Sequence, residues 1–276
     1  MTEDASTTTP SRDSSHAYAL SNRWERAKER LNALQNACDK TTQSWLEFIK
    51  PGDYCLEIGP GNGSMAHWTA DRVLPKGQID ILDIDDQFLS GISSRQSNVT
   101  AIHADILDYD LGINRYDVIY MRIVLCHLVG ADYQALISRC TKALKAGGIL
   151  FIQDLIDLDY LDHLPEVSNE LKTYLHKLAA AANKTMDFSI GPVIPNLMVN
   201  SGLKSVRAQI QSDWATGGSN MAILTCLTLK QLDASGLFDN IENHNALFDE
   251  LMAFYENPGS GWFGTYTVSS IGMKEH

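Results

Sequence analysis

The most constraining feature of this chain is a regular alternation of short apolar runs and amphipathic segments between residues 54 and 155. Strands that alternate with helices are typical of a parallel sheet wound on both sides, and continuous apolar runs such as ILFI suit strands covered on both faces. We therefore predict an α/β fold with a doubly wound, mostly parallel sheet. The five predicted strands are YCLEIG, QIDILDID, NVTAIHAD, RYDVIYMR and GILFIQDL, at residues 54–59, 78–85, 98–105, 115–122 and 148–155.

Helical patterns flank this alternation on both sides. From Trp24 to Ile49 apolar residues recur every three or four positions, which predicts a long amphipathic helix before the first strand. Beyond the fifth strand we predict a helical insert, a strand, a mostly helical stretch and a final strand, at residues 156–200, 204–211, 213–262 and 263–274. The predicted organisation is a flexible polar tail, an N-terminal helical cap, and a core that contains the insert, over residues 1–20, 21–50 and 51–276.

The composition excludes several classes of protein. No apolar run approaches the roughly 20 residues that span a bilayer, and the N-terminus lacks the basic and apolar regions of a signal peptide. Five scattered cysteines without metal-ligand spacing indicate free thiols in a reducing compartment. A net charge of −12 without a Lys/Arg-rich run disfavours nucleic acid as a substrate. We therefore expect a cytoplasmic protein with no membrane or nucleic-acid partner.

A glycine-rich stretch follows the first predicted strand. Gly59, Gly61 and Gly63 alternate with other residues, and position 64, where the dinucleotide fingerprint G-x-G-x-x-G requires its third glycine, holds Ser64. Glycines at such a turn allow the backbone and the following helix N-terminus to approach a ligand closely. The stretch therefore predicts a bound nucleotide-like cofactor, and Ser64 raises the question of which one.

Acidic residues end the second predicted strand. Asp83 lies about 20 residues beyond Gly63, which is the spacing of an acid that accepts both hydroxyls of a ribose. Asp85 and Asp80 compete for this role. Because side chains alternate along a strand, Asp80 points to the opposite face from Asp83, and we expect it to face solvent. Asp83 is therefore the favoured ribose ligand.

The third and fourth strands end in further candidates, and ligands of such sheets bind at the carboxyl ends of the strands. Asp105 is placed to accept the exocyclic amine of an adenine, with Ile84 and Ile106 as apolar walls on the faces of the ring. Met121 and Arg122 end the fourth strand at the same edge. These positions predict one ligand site along several strand ends.

Together these motifs resemble the class I S-adenosylmethionine-dependent methyltransferases. The stretch that begins at Glu57 looks like their first motif, E-x-G-x-G-x-G, while Asp83 and Asp105 match their ribose and adenine contacts. The stretches YDVIYMRIVLCHL (116–128) and LKAGGILFIQD (144–154) are similar to two further motifs of the family, although Ala146 replaces a usual proline. The resemblance is continuous from about residue 50 to residue 155.

This resemblance implies a seven-stranded sheet with an antiparallel last hairpin, and S-adenosyl-L-methionine as the cofactor, released as S-adenosyl-L-homocysteine. The implied reaction is methyl transfer to an O, N or C nucleophile of a small molecule, for example a natural-product intermediate. The N-terminal helices and the insert would then bind this substrate. The residues implied to contact the cofactor are Glu57, Gly59, Gly61, Gly63, Asp83, Ile84, Asp105, Ile106 and Met121. A homodimer is one assembly that this interpretation allows.

Several residues keep two interpretations. His127 is a candidate general base, or a residue that packs at a helix start. Arg122 either holds a carboxylate of cofactor or substrate, or forms a structural ion pair. Tyr18 and Trp24, with His16, either cover the sulfonium with aromatic faces or belong to the loose tail. Glu57 either contacts the ligand or only orders the loop.

An acidic run at Asp154, Asp157, Asp159 and Asp162 suggests a metal, but its spacing fits solvated loop or helix-capping acids better, so we expect no metal. Two rival functions remain open. One is a cofactor-binding enzyme that catalyses a non-methylating reaction such as a cyclisation. The other is a catalytically silent methyltransferase-like subunit, whose expected mark, a degraded glycine loop or a lost ribose acid, is not seen.

Overall fold

The computed structural model describes residues 20–156 and 167–275, and within them it forms an α/β fold. The helices are α1 (Ala27–Trp45), α2 (Ser64–Val73), α3 (Leu89–Ser93), α4 (Tyr133–Ala143), α5 (Asn169–Ala182), α6 (Ile194–Asn200), α7 (Asn220–Ala234) and α8 (His244–Glu256). The strands are β1 (Tyr54–Ile58), β2 (Gln78–Asp83), β3 (Val99–His103), β4 (Tyr116–Arg122), β5 (Leu144–Leu155), β6 (Lys204–Gln211), β7 (Trp214–Thr216), β8 (Gly261–Phe263) and β9 (Thr267–Met273).

Seven of these strands form one sheet in the order β3-β2-β1-β4-β5-β9-β6. The first five are parallel, whereas β9 runs antiparallel to both β5 and β6. The prediction of a doubly wound, mostly parallel, seven-stranded sheet with an antiparallel last hairpin is therefore confirmed. The strand order reverses at β1 and β4, and this switch point is where such sheets bind their ligands.

Helices cover both faces of the sheet, which explains why its strands are apolar without interruption. Buried residues of α2 and α3, with Leu46 and Ile49 after α1, pack on one face. Buried residues of α4, α5 and α6, together with those of α7 and α8, form the core on the other face. Helix α1 also packs against α7, so the N-terminal helix joins the two sides. No helix among the described residues is long and apolar enough to cross a membrane.

The expectation that Asp80 faces solvent is wrong. Its residue surface is 1% exposed, because helices cover both faces of β2. Tyr54 and Tyr116 donate their hydroxyls to Asp80 Oδ2 at 2.6 and 2.9 Å, and Arg115 Nη2 donates to the same oxygen at 2.7 Å. Alternation along the strand did place Asp80 and Asp83 on opposite faces, but the face that carries Asp80 is covered by protein and not by water.

Two further differences concern the C-terminal half. The stretch predicted to be mostly helical contains α7 and α8, and it also contributes β7 and β8, which pair as a separate antiparallel ribbon. The described part of the predicted insert holds α5, a 3₁₀ turn at Gly191–Val193 and α6. His16, Tyr18, Asp157, Asp159 and Asp162 lie outside the described residues.

Candidate cofactor site

The glycine loop joins β1 to α2 and adopts a backbone that requires glycine at two positions. Gly59 and Gly63 have φ values of +71° and +92°, in the left-handed region. A Cβ on Gly59 would lie 2.5 Å from Cγ2 of Val124, and one on Gly63 would lie 2.6 Å from Cγ1 of Ile92. The loop is therefore held closely between the segment after β4 and helix α3.

The start of α2 behind this loop carries polar groups without partners. Gly63 occupies the N-cap position and offers no side-chain cap to the first N–H groups of α2, which remain open to an acceptor on a ligand. The Ser64 hydroxyl and Oδ1 of Asn62 are buried without a hydrogen-bond partner. A ligand rich in polar atoms, such as the amino-acid end of S-adenosylmethionine, fits this loop.

Backbone hydrogen bonds bring Asp83 beside the glycine loop. The Gly59 N–H donates to the Leu82 carbonyl at 2.8 Å, and the Ala104 N–H donates to the Asp83 carbonyl at 3.0 Å. Within the described residues, the Asp83 carboxylate accepts hydrogen bonds from backbone amides alone, among them the Asp85 N–H at 2.9 Å. Burial raises its pKa to about 6. The predicted ribose acid thus has free acceptor capacity at the carboxyl end of β2, next to the loop.

Asp105 lies one strand further along the same edge. Its Oδ1 accepts the Leu107 N–H at 2.8 Å, which fixes the turn after β3. The two predicted apolar walls differ: Ile84 is 59% exposed, whereas Ile106 is 5% exposed and packs in the core. Only Ile84 therefore offers an open apolar surface. Ile106 would contact an adenine ring only at the edge of the core in which it packs.

The Glu57 side chain forms its hydrogen bond within the protein, beneath the glycine loop. It is 5% exposed, and its Oε2 accepts a hydrogen bond from the Tyr120 hydroxyl at 3.1 Å. The Tyr120 hydroxyl also lies 2.9 Å from the Thr69 hydroxyl. Burial raises the pKa of Glu57 to about 7, an effect that the positive charge of Arg122 opposes. These contacts link β1 to β4 and α2. They agree with the interpretation in which Glu57 orders the glycine loop.

Arg122 forms an ion pair with the N-terminal helix. Its Nη1 lies 2.8 Å from Asp39 Oδ1 and 3.2 Å from the Thr42 hydroxyl. Thr42 in turn donates to Gln153 Oε1 at 2.8 Å. This network fastens α1 over the ends of β4 and β5, and it corresponds to the structural interpretation of Arg122.

The segment after β4 is organised by Asp154, which the sequence suggested only as part of an acidic run. Asp154 is fully buried and its Oδ2 accepts the N–H groups of Val124 and Leu125 at 3.1 and 2.8 Å. Burial raises its pKa to about 6, against the effect of these bonds. Its ligands are therefore backbone amides, and the described residues hold no cluster of three potential metal ligands.

His127 ends the 3₁₀ turn Leu125–His127 of that segment. Burial, reinforced by the charge of Arg30, lowers the pKa of its imidazole to about 3. The ring is therefore neutral near pH 7, and its conjugate acid is too strong for it to hold a proton taken from a substrate.

The two remaining predicted contacts are less open. Met121 is fully buried in the core, and Trp24 is partly buried in the turn that precedes α1.

Sequence reasoning missed the contribution of α1 itself. Asn62 donates to Asn32 Oδ1 at 2.7 Å, and a Cβ on Gly61 would lie 3.4 Å from Leu31 Cδ2. The second turn of α1 therefore lies directly on the glycine loop.

Comparison with known proteins agrees with this geometry. A family model described as a methyltransferase domain matches residues 56–150. The N-terminal Xaa-Pro-Lys N-methyltransferase 1 of Xenopus tropicalis is 30% identical over 114 residues, which are 38% of this chain and 49% of that protein. Methyltransferase str2 of Strobilurus tenacellus is 30% identical over 162 residues, which are 55% of this chain and 56% of that protein. The chain thus spans about half the length of the curated relatives it matches.

Among solved structures, a Haemonchus contortus phosphoethanolamine N-methyltransferase 2 with S-adenosylhomocysteine superimposes with a TM-score of 0.51 and 17% identity, over 90% of this chain and 53% of that one. This similarity concerns the fold. The cofactor of this fold family is S-adenosylmethionine, and the glycine loop with its adjoining acids fits it. Residues 56–150 thus match a methyltransferase domain, and the strand order with its antiparallel last strand is the fold of the class I S-adenosylmethionine-dependent methyltransferases.

Proposed function

We propose that this protein transfers the methyl group of S-adenosylmethionine to an O, N or C nucleophile of a small molecule. The observation that carries the proposal is the convergence of the glycine loop, Asp83 and Asp105 along adjoining strand ends. It depends on the two backbone bonds from Gly59 and Ala104 that tie β1 to β2 and β2 to β3. An intact loop and an available ribose acid argue against a catalytically silent subunit.

In this proposal each segment has one task. The loop and the first turn of α2 hold the amino-acid end of the cofactor, Asp83 accepts the ribose hydroxyls, and Asp105 accepts the adenine amine. The bound cofactor supplies an already electrophilic methyl group. The work of the protein is then to align the nucleophile with that group and to exclude water.

A general base on His127 is not part of the proposal. An imidazole whose pKa is about 3 is a weak proton acceptor at neutral pH. A nucleophile that is already deprotonated, or one that loses its proton to solvent after transfer, is consistent with this site. His127 is therefore assigned a packing role beside Arg30.

A small-molecule acceptor is supported by the Haemonchus contortus neighbour, whose structure holds phosphomonomethylethanolamine, whereas the Xenopus tropicalis relative is named for a protein acceptor. The latter relative makes a protein N-terminus the second candidate acceptor. The net charge of −12 is compatible with a basic peptide, but this match covers only 38% of the chain and 49% of the relative.

The test uses S-adenosylmethionine labelled at the methyl group. The protein is incubated with pools of small phenols, amines and carbon acids, and separately with peptides that begin Xaa-Pro-Lys. Label in a small molecule, lost with Asp83→Ala and retained with Asp249→Ala on the exposed face of α8, is the expected result. Label found only in peptide contradicts the acceptor class. Consumption of a substrate while the label stays on the sulfonium indicates the non-methylating rival.

A further inference from the structure

Arg30 is a buried cation that pairs with no anion among the described residues. It lies on α1 in the same apolar stripe as Ala27 and Leu31, and it is 3% exposed. Its Nη2 donates to the Leu20 carbonyl at 3.2 Å, whereas its Nε is buried and has no hydrogen-bond partner. Within residues 20–156 and 167–275 no carboxylate forms a salt bridge with it. The contrast with Arg122, which is neutralised by Asp39, is clear.

This arrangement is costly in the absence of a ligand. A guanidinium carries five N–H donors and remains charged at all relevant pH values, so burial without a counter-ion is strongly unfavourable. The neighbouring segment is also incompletely bonded. Gln231 of α7 donates to the Ser21 carbonyl at 2.8 Å, while its Oε1 and the Oδ1 of Asn22 are buried without partners. The polar groups around Leu20 therefore have hydrogen-bonding capacity that their described neighbours do not use.

The position of Arg30 indicates which ligand would use this capacity. The next two residues of α1, Leu31 and Asn32, lie against Gly61 and Asn62 of the glycine loop. On another side, the charge of Arg30 acts on His127, in the segment after β4. Arg30 thus directly precedes the two residues of α1 that contact the glycine loop, and it lies near enough to the segment after β4 for its charge to act on His127.

We propose that Arg30 binds the carboxylate of the methionine portion of S-adenosylmethionine. The cofactor carries one carboxylate, at the end that the glycine loop holds, and a planar guanidinium matches a carboxylate with two parallel hydrogen bonds. The ligand then supplies the negative charge that the protein lacks at this place. The proposal rests on the cofactor and is independent of the acceptor on which the proposed function depends.

The test compares two ligands that differ only in this group, S-adenosylmethionine and decarboxylated S-adenosylmethionine, by calorimetry without any acceptor. The wild type is expected to prefer the carboxylate-bearing ligand. Arg30→Met is expected to weaken S-adenosylmethionine binding about 10- to 100-fold, the loss of a charged hydrogen-bonded pair, and to leave binding of the decarboxylated ligand unchanged or slightly stronger. Arg30→Lys keeps the charge but not the planar fork, and is expected to fall between the two.

Arg26→Met is the matched control, since Arg26 lies one turn earlier on the same helix and pairs with Glu29 at the surface. It is expected to bind both ligands as the wild type does. Equal weakening of both ligands by Arg30→Met would assign Arg30 to packing, and the proposal would be wrong. Equal affinity of the wild type for the two ligands would overturn it even if the Met variant failed to fold.

Discussion

Strand β2 carries two aspartates in opposite situations. Asp80, in the middle of the strand, receives three donors from Tyr54, Tyr116 and Arg115 and is closed off from water. Asp83, half-buried at the carboxyl end, receives only backbone amides and has a raised pKa of about 6. The satisfied acid holds the sheet together, and the incompletely satisfied one is available to a ligand. Unmet bonding capacity distinguishes the functional edge of this sheet.

The largest expected effect is on stability, at Asp80. Asp80→Asn removes the charge that three donors share and leaves Arg115 without its partner. Because Arg115 remains partly exposed, we expect the free energy of unfolding to fall by about 2–3 kcal/mol, below the range for a fully buried pair. Urea denaturation measures it, with Asp249→Asn on α8 as the exposed control. Cofactor affinity of the folded protein is expected to stay within a factor of two; a large loss would refute the division of roles.

The next effect separates backbone strain from close packing at glycines. Gly63 and Gly52 have nearly the same φ, +92° and +94°, but a Cβ meets Ile92 at Gly63 and nothing within 4 Å at Gly52. Gly52→Ala is expected to cost about 1 kcal/mol, the strain of a left-handed residue. Gly63→Ala is expected to cost about 1 kcal/mol more, at the low end for overpacking, and to weaken cofactor binding as well.

Thermal and urea unfolding of the two variants measure this difference, and calorimetry with S-adenosylhomocysteine measures the binding. Equal losses of stability would mean that Ile92 moves away at little cost. In that case the close approach of α3 does not shape the loop.

The third effect is on binding, at Asp83. Asp83→Asn makes the same chemical change as Asp80→Asn, three residues along the same strand. It removes one charged acceptor of the ribose hydroxyls, and we expect S-adenosylhomocysteine to bind more weakly by about 2 kcal/mol. The free energy of unfolding is expected to stay the same or to rise, because burial of this charged carboxylate is unfavourable without a ligand. Unchanged affinity in calorimetry would remove Asp83 from the site.

The contrast also explains how much the sequence could predict. The seven-stranded sheet was predictable, because the apolar runs and the resemblance covered β1 to β5 and the resemblance implied the last hairpin. The sequence also located Asp83 and Asp105, since strand ends fix where a side chain must be. What it could not supply were contacts between distant segments. Asp80 was misplaced because alternation along a strand identifies a face but not what covers that face.

Arg30 and Asp154 show the same limit. Each depends on contacts outside its own helix or strand, with the Leu20 carbonyl for Arg30 and with the amides after β4 for Asp154. A charged residue within an apolar helical stripe was the one local signal for Arg30, and it is not specific. For Asp154 the spacing of the acidic run favoured a solvated loop or helix-capping acid, whereas the carboxylate is buried and bonded to backbone amides.

The last expected effect is the pH dependence that Glu57 contributes. Burial raises its pKa from 4.5 to about 7 in the folded protein, so between these values the folded state binds more protons than the unfolded state. The free energy of unfolding must therefore fall as the pH rises through this window. Tyr120 and Arg122 favour the charged form, while Asp39 and Asp83 oppose it.

Glu57→Gln is expected to make the unfolding free energy less dependent on pH, since the glutamine does not titrate. The remaining slope comes from Asp83 and Asp154, whose pKa values are also raised. Urea denaturation at about pH 5 and about pH 8 measures it, with Glu250→Gln on the exposed side of α8 as the control. Cofactor affinity should change less than with Asp83→Asn, because Glu57 bonds to Tyr120 beneath the loop. An equal or larger loss of affinity would place Glu57 among the cofactor ligands, and the ordering role assigned to it would be wrong.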